Sequence, residues 1–174
     1  MGIRTVRTEG DECLRKVCKP VKSVSLRTRI LIEDMFDTMY ESGGVGLAAP
    51  QIGVLKRIVV MDTDDNQHVL INPQILEVSG EQTGYEGCLS IPGKSGIVTR
   101  PDYVKVKALN ERGEEYVLEG EGLLARCICH ECDHLDGILY SDKAEGGLIN
   151  NEDLPEDEEE ELYEDCLLYT SPSP

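Results

Sequence analysis

The chain has 174 residues and a mass of 19.3 kDa, a length that suits one compact domain and leaves little room for two. Its 34 acidic and 17 basic residues give a net charge of −17, a field that repels phosphate backbones and anionic lipid and so disfavours nucleic-acid and membrane binding. One Phe, seven Tyr and no Trp also leave few stacking platforms for single strands.

No apolar run approaches the ~20 residues of a membrane span, and Met1-Gly2-Ile3-Arg4 opens without the apolar stretch of a signal peptide. A soluble, cytoplasmic protein is expected. Seven cysteines, three of them in Cys127-Ile128-Cys129-His130-Glu131-Cys132, point to free or metal-bound thiols rather than a disulfide framework.

Between Ser23 and Gly43 the pairs Leu31/Ile32, Met35/Phe36 and Met39/Tyr40 recur at four-residue steps. This spacing predicts an amphipathic helix, with Ser25 as N-cap and Gly43-Gly44 as the stop. Gly44-Val45-Gly46-Leu47-Ala48-Ala49-Pro50-Gln51 follows; it fits neither nucleotide-binding fingerprint, and its small residues suit a cleft where a peptide backbone lies close. Ile58–Met61 and Val69–Ile71, joined through Asp64-Asp65-Asn66 and ended by Asn72-Pro73, read as a hairpin. Leu89-Ser90-Ile91-Pro92 is strand-like. Val104–Ala108 and Tyr116–Leu118, joined through Glu111-Arg112-Gly113, read as a second hairpin with one wet face. Helical periodicity returns over Gly122–Leu135. Strands gathered between two helices predict an α+β fold, with antiparallel or mixed sheets packed around the second helix. Residues 1–150 form the expected single domain. Residues 151–174 hold ten acidic and no basic side chains and are expected to be a frayed or disordered tail, its last nine residues suiting no element.

The sharpest chemical feature is His130-Glu131-Cys132-Asp133-His134. At roughly 100° per residue the two imidazoles lie about 40° apart on one helix face and can reach a single ion. Glu131, about 60° from His134, stands too far round to be a third ligand from the same helix but near enough to move the proton of a water at the ion. A catalytic site needs one more protein ligand and an open position. Cys88, in Glu86-Gly87-Cys88-Leu89-Ser90, is the strongest candidate; a free core thiol is its alternative.

Together these three segments resemble the peptide deformylase family, in its order and at family-like separations over roughly residues 1–145. The resemblance implies removal of the N-terminal formyl group from formyl-methionyl nascent peptides at the ribosome exit, with release of formate. It also implies a ferrous ion as the usual metal, with zinc as a substitute. Cys88, His130 and His134 match the family's ligands, Glu131 its acid/base, and Gln51 with the backbone N–H of Leu89 its carbonyl-polarising pair. The backbone of Gly44, Val45 and Gly46 is expected to pair with an extended substrate, and Val45, Cys127 and Ile128 to receive the methionine side chain. Glu86 and Asp133 are expected to support the imidazoles or the loop, with Arg100 as ionic partner. A monomer is expected.

Cys129 stands where the family commonly shows glutamine, and with Cys132 it forms a C-x-x-C. Both point roughly 100–200° away from His130, which predicts core packing rather than a share of the histidines' ion. A structural-zinc interaction module without catalysis and a zinc peptidase are the competing readings. The acidic end argues against ribosome docking through a basic C-terminal helix.

Overall fold

The computed structural model describes residues 2–154, so residues 155–174, the larger part of the acidic tail, lie outside the described residues. Helix α1 (Leu26–Glu41) starts where the Ser25 side chain accepts a hydrogen bond from the Thr28 N–H, and it buries Leu31, Ile32, Met35, Phe36 and Met39. Tyr40, in phase with that stripe, is 47 % exposed and instead donates its hydroxyl to Asp62.

The strands form two antiparallel sheets. The larger has the order β1-β2-β3-β6-β7, from Gly46–Ala48, Ile58–Thr63, Asn66–Ser79, Tyr103–Leu109 and Glu115–Glu121. The smaller joins β4 (Gln82–Cys88), β5 (Ile91–Arg100) and β8 (Glu145–Asn150) in that order. Helix α2 (Gly122–Leu135) packs on the larger sheet and also meets β5.

The uninterrupted apolar run Ile58–Met61 has a structural cause: β2 is covered on both faces. Ile58 and Val60 point into the cluster under α1, Val59 and Met61 into the cluster under α2. A fully buried side chain of this size contributes about 1.5–3 kcal/mol, so these two clusters fix both helices to one sheet. A third cluster of Leu14, Cys88, Ile91, Val98, Leu139 and Tyr140 ties the smaller sheet to the segment after α2.

Two local expectations give way. Asn72-Pro73 does not end its strand: Asn72 takes φ 53° at a register shift, its carboxamide accepts from the Val21 N–H and donates to the Val21 carbonyl, and β3 continues to Ser79. Leu89-Ser90 is not strand but the turn joining β4 to β5, with Cys88 paired to Ile91. Beyond position 150, Asn151 and Leu154 are buried; Ser95 donates its hydroxyl to Asn151, and Leu154 packs with Tyr85 and Leu123. Among the described residues no helix is long and apolar enough to cross a membrane.

Candidate metal centre

Helix phase decides which side chains of α2 face the smaller sheet. Arg126, His130 and His134 recur at four-residue steps on that face, and β4 brings Glu86 and Cys88 against them. The Cys88 Sγ lies 3.3 Å from His134 Nε2, which lies 3.2 Å from His130 Nε2, and all three residues are buried. Roughly 3.3–3.7 Å separates the ligand atoms of a tetrahedral ion held at ~2.0–2.3 Å, so these two separations are close to a metal's spacing, and all three atoms lie within 4.8 Å of one another.

The surroundings fit the same use. Glu86, fully enclosed, accepts a hydrogen bond from His130 Nδ1, which leaves Nε2 to face Cys88 and His134. Burial alone would raise the Glu86 carboxyl, but the charges of His130 and Arg100 overturn that and hold it well below the usual range. Arg100 donates to both Glu86 oxygens, at 3.1 and 2.6 Å, and to Asp133 at 2.7 Å. The Asp133 carboxylate thus steadies Arg100 and is also met by Lys143 at 3.2 Å. Burial would lower His130, but Glu86 opposes it and takes it up to about 10 in the metal-free chain. Burial and the neighbouring His130 charge push His134 well below its ordinary value. His134 Nδ1 and Glu131 Oε1 are enclosed without a hydrogen-bond partner. The ligand atoms that converge are instead the Cys88 sulfur and the Nε2 atoms of both imidazoles, a soft, buried donor set that suits a divalent transition metal.

Glu131 lies against the edge strand. A Cβ on Gly46 would stand 2.6 Å from Glu131 Oε2 and 2.9 Å from the Cys127 Sγ, so only glycine lets β1 approach this carboxylate. Burial pushes Glu131 up to about 7 despite the opposing charge of His130. Gln51 sits in a 3-10 turn (Ala49–Ile52) and is 1 % exposed. Its Oε1 accepts from the Ala48 N–H at 2.9 Å, which aims its Nε2 at Ser90 Oγ (3.1 Å) and the Cys88 sulfur (3.6 Å). The Leu89 side chain lies against Gly44, where an added Cβ would meet it at 2.8 Å. Val45 packs on the cluster that holds Cys127 and Ile128, both fully enclosed. Cys129 and Cys132 belong to that apolar cluster and not to the group of potential ligands.

Sequence reasoning missed Arg126, which donates to Glu86 at 2.7 Å, and Tyr140, whose ring stacks 6.0 Å from that of His130. A helical arginine reads as surface, and only its four-residue spacing from His130 marked it.

A buried Cys-His-His group with an unpaired carboxylate beside it defines a metallohydrolase type of centre. Residues 3–148 match the family model described as polypeptide deformylase. The peptide deformylase of Agathobacter rectalis is 59 % identical over 158 residues, 90 % of this chain and 100 % of that protein. Peptide deformylase 1 of Clostridium acetobutylicum is 59 % identical over 82 % of this chain and 95 % of its own length. The solved peptide deformylase of Thermotoga maritima superposes with a TM-score of 0.81 at 42 % identity, covering 83 % of this chain and 99 % of its own. That of Ehrlichia chaffeensis in complex with actinonin gives 0.82 at 35 %, covering 84 % and 91 %. The chain belongs to the polypeptide deformylase family. It is an enzyme of that class, which removes the N-formyl group from nascent peptides, and neither the structural-zinc module nor the zinc peptidase is favoured.

Proposed function

We propose that Cys88, His130 and His134 hold the metal for deformylation, that Glu131 moves the protons, and that Gln51 with the Leu89 N–H polarises the formyl carbonyl. The observation that carries this reading is the buried Cys-His-His cluster with Glu131 unpaired beside Gly46. Cysteine and histidine ligands accept ferrous iron and zinc alike, and we assign iron as the resident ion with zinc as substitute. When bound, such an ion supplies Lewis acidity toward a carbonyl and toward water.

The chain's own residues do the rest. Glu131, enclosed beside the ligands with Oε1 free of any hydrogen bond, is placed to take a proton from the attacking water and return it to the leaving amine. The Gln51 carboxamide is held by the Ala48 N–H and needs only to exchange Ser90 for the substrate oxygen. Glu86 keeps the His130 ring in one tautomer.

Substrate binding falls to the free edge of β1. The Val45 carbonyl accepts from the Asp62 N–H of β2, so the polar groups of Gly46 turn to the opposite, open edge and can pair with an extended peptide. The methionine side chain would rest on Val45, with Cys127 and Ile128 behind it. The partner is a formylated nascent peptide at the ribosome exit; the enzyme works as a cytoplasmic monomer.

Formate release from a formyl-Met-Ala-Ser peptide tests the reading. Protein loaded anaerobically with ferrous ion is expected to release formate and leave the peptide otherwise intact. Absence of release from folded, iron-loaded protein would overturn it.

A further inference from the structure

Glu86 does not meet one arginine but two, and the two differ in what else they hold. Arg100 donates to both Glu86 oxygens and has a second carboxylate, Asp133, at 2.7 Å. Arg126 is paired with Glu86 alone, through NH1 to Oε2 at 2.7 Å; NH1 also donates to the Val98 carbonyl at 3.2 Å and Nε to Gln82 Oε1 at 3.4 Å. All three members of the clamp are nearly sealed from solvent. Arg126 stands one helical turn before His130, and Glu86 two residues before Cys88, so the Arg126–Glu86 pair joins the helix that presents the histidines to the strand that presents the thiol.

We propose that Arg126 is a positioning residue of the metal centre: it locks the Glu86 carboxylate so that Oε1 meets His130 Nδ1, and it keeps β4 and α2 at the spacing that brings Cys88 to His130 and His134. The inference rests on the metal-centre reading above. Arg100 forks onto both Glu86 oxygens and Arg126 adds a second, shorter bond to Oε2, so the carboxylate is held from the smaller sheet and from α2 together, and the His130 ring inherits its orientation. Without Arg126, Oε2 keeps only the 3.1 Å bond from Arg100 Nε, and the direct arginine tie between β4 and the helix turn that carries His130 is lost, so the spacing of Cys88 from the two histidines can relax.

The test is Co²⁺ binding to the full chain, followed by thiolate-to-cobalt absorption in competition with a chelator, for wild type, Arg126→Met and Arg126→Lys. Circular dichroism of the metal-free proteins confirms folding. Outer-shell partners of metal ligands are typically worth about 10–100-fold in affinity. Arg126→Met is expected to weaken Co²⁺ binding by that factor and shift the absorption envelope, while Arg126→Lys, which keeps a cation near Glu86, recovers part of the loss. Wild-type affinity and spectrum in a folded variant would overturn the proposal, and so would failure of both variants to fold, which would make Arg126 a structural ion. If the wild type itself gave no thiolate-to-cobalt absorption, the metal-centre reading would fail first, and separately.

Discussion

The turn end of β4 and the apolar face of α2 both bury sulfur near the two histidines, yet they do opposite things with it. Cys88 is far from His130 in sequence and reaches His134 Nε2 at 3.3 Å. Cys129 and Cys132 flank His130 and Glu131 along the chain and pack instead with Val104, Val106 and Leu135. Burial pushes the Cys129 thiol up to about 11 and that of Cys132 well beyond its ordinary value, so both stay protonated and inert. A buried thiol becomes a ligand through the polar groups that converge on it, and helix phase withholds those groups from neighbours one residue away.

The largest effect that would sharpen this contrast is at Glu131, the one carboxylate on the polar side without a partner for Oε1. Glu131→Ala is expected to lower kcat by ~10²–10⁴-fold while metal content, read by atomic emission, stays at wild-type level. Joint loss of metal and activity would show Glu131 to be a ligand and break the division of labour.

The next effect is electrostatic and belongs to the metal-free protein. Burial lifts Glu131 from 4.5 to about 7, so folding favours its protonated form. Its stabilisation is complete below pH ~4.5 and is lost as pH rises through about 7, a change on the order of 3 kcal/mol. Urea titrations of the stripped chain between pH 5 and 8 should show this fall, and Glu131→Gln should flatten it; identical slopes would contradict the assignment.

Gly46→Ala probes the close approach of β1. The new methyl group must displace Glu131 Oε2 or the Cys127 sulfur, and a misplaced proton carrier is expected to cost about 10–100-fold in kcat with metal retained. Unchanged kinetics would mean the edge strand can retreat freely.

The smallest effect lies on the apolar face. Cys129→Ala and Cys132→Ala should each cost about 1 kcal/mol in chemical denaturation and leave kcat within about twofold, as expected of packing groups. A large loss of activity in either would place that thiol in the centre after all.

Much of this arrangement is legible in the chain itself. The spacing of His130 and His134 sets both on one face, and their angle to Cys129 and Cys132 separates ligand from packing. The α2 bounds, Gly122–Leu135, match the periodicity, although from Ala125 onward the helix is buried on nearly every side. Less legible is what depends on distant partners. Asn72-Pro73 looks like a stop until the Val21 backbone, 51 residues away, satisfies the asparagine. The β4–β5–β8 sheet carries mixed, Gly-rich strands whose sides are set by α2 and by the segment after it, so local alternation says little. Arg126 is invisible as a buried group until Glu86 is placed opposite it.

The most direct test of the contrast between the two sulfur environments is the cobalt spectrum of three proteins: wild type, Cys88→Ser, and the double variant Cys129→Ser/Cys132→Ser. The thiolate-to-cobalt band should vanish in Cys88→Ser and persist in the double variant with its energy and intensity intact. Persistence of the band in Cys88→Ser, with its loss in the double variant, would place the metal on the helix thiols and contradict the account.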